Sequence, residues 1–133
     1  MTNYDDKPSV LVVDDDETIR EMISKILSLN GFQVVLASDG FEALNLLEQN
    51  RIQIVITDMK MPEMDGMELI GLIKKSYPDI KNIVMTAFGD IYTIKDAMMK
   101  GADDYITKPF NSHEINIIVE RAYWNITPQK IKI

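Results

Sequence analysis

Four points along the chain carry side chains that can do chemistry together. Asp14-Asp15-Asp16-Glu17 follows one short apolar run and Asp58 follows another; Thr86-Ala87 ends a further run and Lys108-Pro109 ends the last. Crowded carboxylates repel one another, and that costs stability unless a cation neutralises them. A hard divalent ion with oxygen ligands does this. Magnesium fits best, since it takes one or two carboxylates, waters and a phosphate oxygen. Lys108 adds a fixed positive charge and Thr86 a hydroxyl donor. Together they form an inventory for holding a phosphoryl group on an aspartate, and carboxylates are nucleophiles for such transfers.

These residues meet only if the apolar runs align at one edge. Ser9–Val13, Phe32–Ala37, Ile52–Thr57, Lys81–Thr86 and Asp104–Thr107 are short, β-branched and nearly continuous in apolarity, the pattern of strands buried on both faces. Helical spacing lies between them. Ile19, Met22, Ile23, Ile26 and Leu27 form one stripe, ended by Asn30-Gly31. Ser38 or Asp39 caps a second helix, which buries Ala43, Leu44 and Leu47. Asp65 and Glu68 have capping-box spacing before a third, with Leu69, Ile70, Ile73 and Tyr77 inward. A fourth runs from Asp90 to Lys100 and stops at Gly101. Asn111 and Glu114 repeat the capping box before a fifth, which buries Ile115, Ile118, Val119, Ala122 and Ile126 and ends at Pro128.

Strict β-α alternation with apolar strands predicts an α/β fold, a five-stranded parallel sheet doubly wound with helices on both faces. Ligands of such sheets bind beyond the carboxyl ends of the strands, where the acids, Thr86 and Lys108 fall. The expected division is a flexible N-terminus over 1–8, one domain over 9–126 and a tail over 127–133.

Composition narrows the function. The chain has 133 residues, 21 acidic against 14 basic side chains, and a net charge of −7. Such acidity argues against direct nucleic-acid binding, which needs a basic patch. There is no cysteine and a single histidine, His113, so disulfides, thiolate sites and multi-histidine zinc sites are excluded. No apolar run nears the ~18 residues of a membrane helix, and residues 1–9 do not resemble a signal peptide. A cytoplasmic location with no membrane association is expected.

The segments Leu11-Val12-Val13-Asp14-Asp15-Asp16, Thr57-Asp58-Met59-Lys60-Met61-Pro62-Glu63-Met64-Asp65-Gly66, Met85-Thr86-Ala87 and Tyr105-Ile106-Thr107-Lys108-Pro109-Phe110 come in that order, each at a strand end. Together they resemble the receiver domain of two-component response regulators, over roughly Ser9 to Trp124. The resemblance implies the flavodoxin-like strand order 2-1-3-4-5. It implies Asp58 as phosphoacceptor, with Mg2+ held by Asp15, by Asp14 through water, by Asp58 and by the Lys60 carbonyl. Thr86 and Lys108 would contact phosphoryl oxygens. Tyr105 would be the aromatic switch residue, turning inward as Thr86 moves, and a cis peptide would precede Pro109. The implied partners are a sensor histidine kinase or histidine phosphotransferase and a downstream output domain or target protein. A surface of helix 4, strand 5 and helix 5 would carry the switch, with room for a phosphorylation-dependent homodimer. The phosphoryl donor must be external, because the chain has no Walker-type nucleotide loop. On this reading the protein is no metabolic enzyme and catalyses only its own phosphorylation and dephosphorylation.

Competing readings are weaker. Asp14-x-Asp16-x-Thr18 also spells the DxDxT pattern of haloacid-dehalogenase-type phosphatases, but that leaves Asp58 to Gly66 unexplained. Asp16 reads as a helix cap and His113 as a surface helix residue. Met59, Met61, Met64 and Met67 suit an adaptable partner surface, with some of them in the core.

Overall fold

The computed structural model describes residues 8–87 and 94–126. Strands β1 (Ser9–Val13), β2 (Gln33–Ala37), β3 (Ile54–Asp58), β4 (Lys81–Ala87) and β5 (Asp104–Lys108) alternate with helices α1 (Glu17–Leu29), α2 (Gly40–Gln49), α3 (Gly66–Ser76), α4 (Ile94–Lys100) and α5 (Ser112–Ile126). All strand pairs are parallel, in the order β2-β1-β3-β4-β5. This is the doubly wound α/β sheet that the alternation predicts and the strand order that the resemblance implies. The first residues of the expected fourth helix, 90–93, and most of both expected termini lie outside the described residues.

Both sheet faces are covered, so alternate residues of one strand enter different cores. Val10 and Val12 pack with Ile23 and Leu27 of α1 and Ile115, Ile118 and Val119 of α5. Leu11 and Val13 pack with Ala43 and Leu47 of α2 and Leu69 and Ile73 of α3. A smaller cluster joins Val84 to Ile70 and Ala97 under α3 and α4. Each fully buried aliphatic side chain contributes about 1.5–3 kcal/mol, which makes the central strands the rigid part of the molecule.

Caps fix where the helices begin. Asp16 accepts from the N–H groups of Thr18 and Ile19, and Asp39, not Ser38, caps α2. Asp65 and Glu68 form the expected capping box on α3. Asn111 and Glu114 exchange reciprocal bonds of 2.9 Å ahead of α5. β3 and β5 each run one residue further than the sequence predicts, so Asp58 and Lys108 are themselves the last rungs of their strands.

One expectation is corrected. Met59, Met61, Met64 and Met67 are all buried, so the partner-surface reading fails for this group. The loop between β3 and α3 folds back on itself, with the Gly66 N–H donating to the Met59 carbonyl at 2.8 Å, and turns the thioethers into the two cores around α3.

That return is tight. A Cβ on Gly66 would lie 2.2 Å from the Asp58 carbonyl oxygen and 2.9 Å from the Met59 Cα, both backbone atoms that cannot step aside. Within the same loop the Met64 N–H reaches the Pro62 carbonyl at 2.8 Å, a γ-turn around Glu63, whose φ of 69° is costly for a side-chain-bearing residue. We expect Gly66→Ala to destabilise the protein by about 3 kcal/mol and Glu63→Gly to stabilise it by about 1 kcal/mol. Denaturant unfolding of the two variants checks both signs.

Candidate functional site

The carboxyl edge of the sheet gathers charge from three strands. Asp14 and Asp15 follow β1, Asp58 ends β3 and Lys108 ends β5. Carboxylate oxygens of Asp14, Asp15 and Asp58 all lie within 4.8 Å of one another. Lys108 reaches across from the far edge, its Nζ 3.2 Å from Asp58 Oδ1 and 3.5 Å from Asp14 Oδ2. The Asp14 side chain is 1% exposed, that of Asp58 13% and that of Lys108 24%, whereas Asp15 is exposed.

A backbone donor holds the buried acid: the Asp16 N–H donates to Asp14 Oδ1 at 2.9 Å. The Asp14 N–H itself continues the β1–β2 ladder to the Ala37 carbonyl at 3.2 Å. Lys108 precedes Pro109 through a cis peptide bond, the one that the resemblance implies.

The remaining predicted site residues stand around this cluster. Thr86 is buried in β4, one residue past Met85, the register partner of Asp58. Tyr105 is half-buried in β5, in register with Val84. Neither side chain hydrogen-bonds to the acidic cluster among the described residues. The Lys60 side chain is exposed. One participant was not legible as such: Arg20 of α1 donates from its guanidinium to the Asp14 carbonyl at 2.7 Å. Its only trace in the sequence is a basic residue four positions after the cap Asp16, within the first turns of α1.

Electrostatics follow from burial and crowding. Burial pushes the Asp14 carboxyl up to about 6; the Asp16 N–H and Lys108 oppose this, and the charges of Asp58 and Asp15 add to it. Burial likewise raises Asp58 above the usual carboxylate range, against the pull of Lys108. Burial pulls Lys108 down, but Asp58 and Asp14 outweigh it and its pKa is raised. The set of three close carboxylates, under-neutralised by one ammonium, is the hard-oxygen donor set that suits a magnesium-type cation.

A carboxyl whose pKa rises from 3.8 to about 6 on folding binds its proton more tightly in the folded state. Its contribution to stability is therefore full below pH 4 and is lost as the pH climbs through 6, a swing on the order of 3 kcal/mol. Without metal, Asp14→Asn should raise stability by about 2–3 kcal/mol at pH 7.5, with the gain vanishing toward pH 4. Paired urea melts of wild type and variant in EDTA at the two pH values check this.

Comparison with known proteins agrees with the fold. The profile of the response regulator receiver domain matches residues 10–120. The regulatory protein AtoC of Escherichia coli is 37% identical over 113 residues, 85% of this chain and 24% of AtoC. The response regulator MprA of a Mycobacterium species is 41% identical over 106 residues, 80% of this chain and 46% of MprA. The chain thus spans between a quarter and a half of these relatives. The crystal structure of a response regulator receiver domain protein from Clostridium thermocellum superposes with a TM-score of 0.83 at 36% identity, covering 93% of this chain and 98% of that one. With the profile spanning most of its length and the sheet in the same order, this chain belongs to the response regulator receiver domain family of two-component systems.

Proposed function

We propose that the domain accepts a phosphoryl group on Asp58 from a phosphohistidine and uses it to switch a partner-binding surface. The observation that carries this reading is the Lys108 ammonium 3.2 Å from Asp58 within a three-carboxylate cluster at the carboxyl edge of the sheet. An Asp58 oxygen forms the new bond to phosphorus as the phosphorus–nitrogen bond of the donor breaks, and the imidazole nitrogen leaves with the bonding pair. Lys108 stays paired with Asp58 while charge gathers on the equatorial oxygens, so its stabilisation needs no reorganisation during transfer. Asp14, Asp15, Asp58 and the Lys60 carbonyl are the groups that would hold Mg2+, which when bound offsets carboxylate charge and stabilises charge on the phosphoryl oxygens.

Once Asp58 carries the phosphoryl group as an acyl phosphate, its charge pairing with Lys108 changes and new oxygens stand beside β4. The Thr86 hydroxyl is the donor placed to answer them. Movement of Thr86 leaves space on the β5 side for Tyr105, which would bias the surface of α4, β5 and α5 between two states. The partners on this reading are a sensor histidine kinase or phosphotransferase upstream and an output domain or target protein downstream. The location is cytoplasmic; among the described residues no helix is long and apolar enough to cross a membrane.

Incubation with acetyl phosphate, followed by peptide mapping, tests the assignment. A magnesium-dependent, hydroxylamine-labile adduct on Asp58 is expected, with none in Asp58→Asn, which should fold normally. An adduct on Asp14 would instead favour the phosphatase reading, and no adduct in either protein would remove the phosphoacceptor role. Lys108→Ala should retain the Asp58 adduct but slow its formation by about 10²-fold, through loss of the fixed charge at the transition state.

A further inference from the structure

We propose, on the divalent-cation reading of the acidic cluster, that Arg20 is a positioning residue whose guanidinium sets the direction of the Asp15 carboxylate and thereby the affinity of the site for the cation. Asp14 is held from both sides of its backbone. Its N–H bonds to the Ala37 carbonyl at 3.2 Å, the end of the β1–β2 ladder, and its carbonyl accepts from Arg20 at 2.7 Å. The peptide joining Asp14 to Asp15 is planar, so anchoring that carbonyl fixes the plane from which the Asp15 Cα projects.

The two acids differ in how they are held. The Asp14 carboxylate has its own partners, the Asp16 N–H and Lys108. The Asp15 carboxylate is exposed, and among the described residues nothing hydrogen-bonds to it. Its direction therefore depends on the backbone beneath it, and that backbone depends on Arg20. Arg20 is itself fixed by the start of α1: its N–H bonds to the Asp16 carbonyl at 3.0 Å, and the Asp16 side chain caps the same helix. The cap, the arginine and the two acids thus form one unit. The guanidinium also places a permanent positive charge behind a run of three aspartates without occupying any of their carboxylate oxygens.

Titration of magnesium chloride by calorimetry into wild type, Arg20→Met and Arg20→Lys tests this, with the metal-free unfolding midpoint of each measured in EDTA. Removing a group that orients a ligand typically costs 10–100-fold in metal affinity. Arg20→Met should weaken Mg2+ binding at least tenfold. Arg20→Lys, which keeps a charged donor at the same position, should recover most of that loss. The metal-free midpoints should stay close to wild type, whereas a merely structural arginine would lower them and leave Mg2+ affinity alone. Mg2+ binding by Arg20→Met as tight as wild type overturns the proposal, as does an Arg20→Lys variant that binds tenfold more weakly than wild type. Failure of wild type itself to bind Mg2+ would overturn the divalent-cation reading, and the role of Arg20 with it.

Discussion

Three carboxylates share one corner of this molecule with a single ammonium, and the rest of the structure is arranged around that imbalance. Oxygens of Asp14, Asp15 and Asp58 lie within 4.8 Å of one another. At an effective dielectric near 20, each ionised pair at that separation costs about 3 kcal/mol. Lys108, at 3.2 Å from Asp58 and 3.5 Å from Asp14, attracts both at close range, but one ammonium against three carboxylates leaves the corner negative. Burial raises the Asp14 carboxyl to about 6, and the charges of Asp58 and Asp15 add to the rise. A buried corner with this excess of negative charge is ready to gain from an added cation.

The fold can hold such a corner because the elements bearing it are the least deformable ones. β1 and β3 are adjacent at the centre of the sheet, with residues 10–13 and 54–56 wholly excluded from solvent. Asp14 and Asp58 continue directly from those runs, so neither acid can retreat without disturbing the cores on both faces. Lys108 comes from the edge strand two places away, and only the parallel order β3-β4-β5 brings its ammonium to Asp58. The loop beyond Asp58 is closed by Gly66 against the Asp58 carbonyl and carries the positive φ of Glu63. The strained backbone of Glu63 thus lies in the loop that leads on from the charged Asp58, both supported by a well-packed interior.

Much of this was legible in the sequence. Continuous apolar runs announce strands covered on both sides, and capping pairs such as Asp65 with Glu68 mark where helices start. The acids at strand ends follow from those two facts. Strand order does not, because alternation fixes handedness and layering but leaves neighbours undetermined; it came from family resemblance. The methionines after Asp58 misled for a physical reason. Met59, Met61 and Met64 lie in a segment without helical or strand period, where hydrophobicity cannot say which way a side chain faces; the fold-back at Gly66 buries them, and Met67 goes inward in the first turn of α3. Arg20 was illegible because its partner is a backbone carbonyl, and carbonyls carry no residue identity.

The central claim is that folding holds this acidic corner in a repulsive state which a divalent cation relieves. The most direct measurement is the unfolding free energy of wild type at pH 7.5 as a function of Mg2+ concentration. Stability should rise with the logarithm of Mg2+ above the dissociation constant, as linkage requires for a ligand of the folded state. The increase should be largely lost in Asp15→Asn. Stability independent of Mg2+, or an equal increase in Asp15→Asn, would contradict the account.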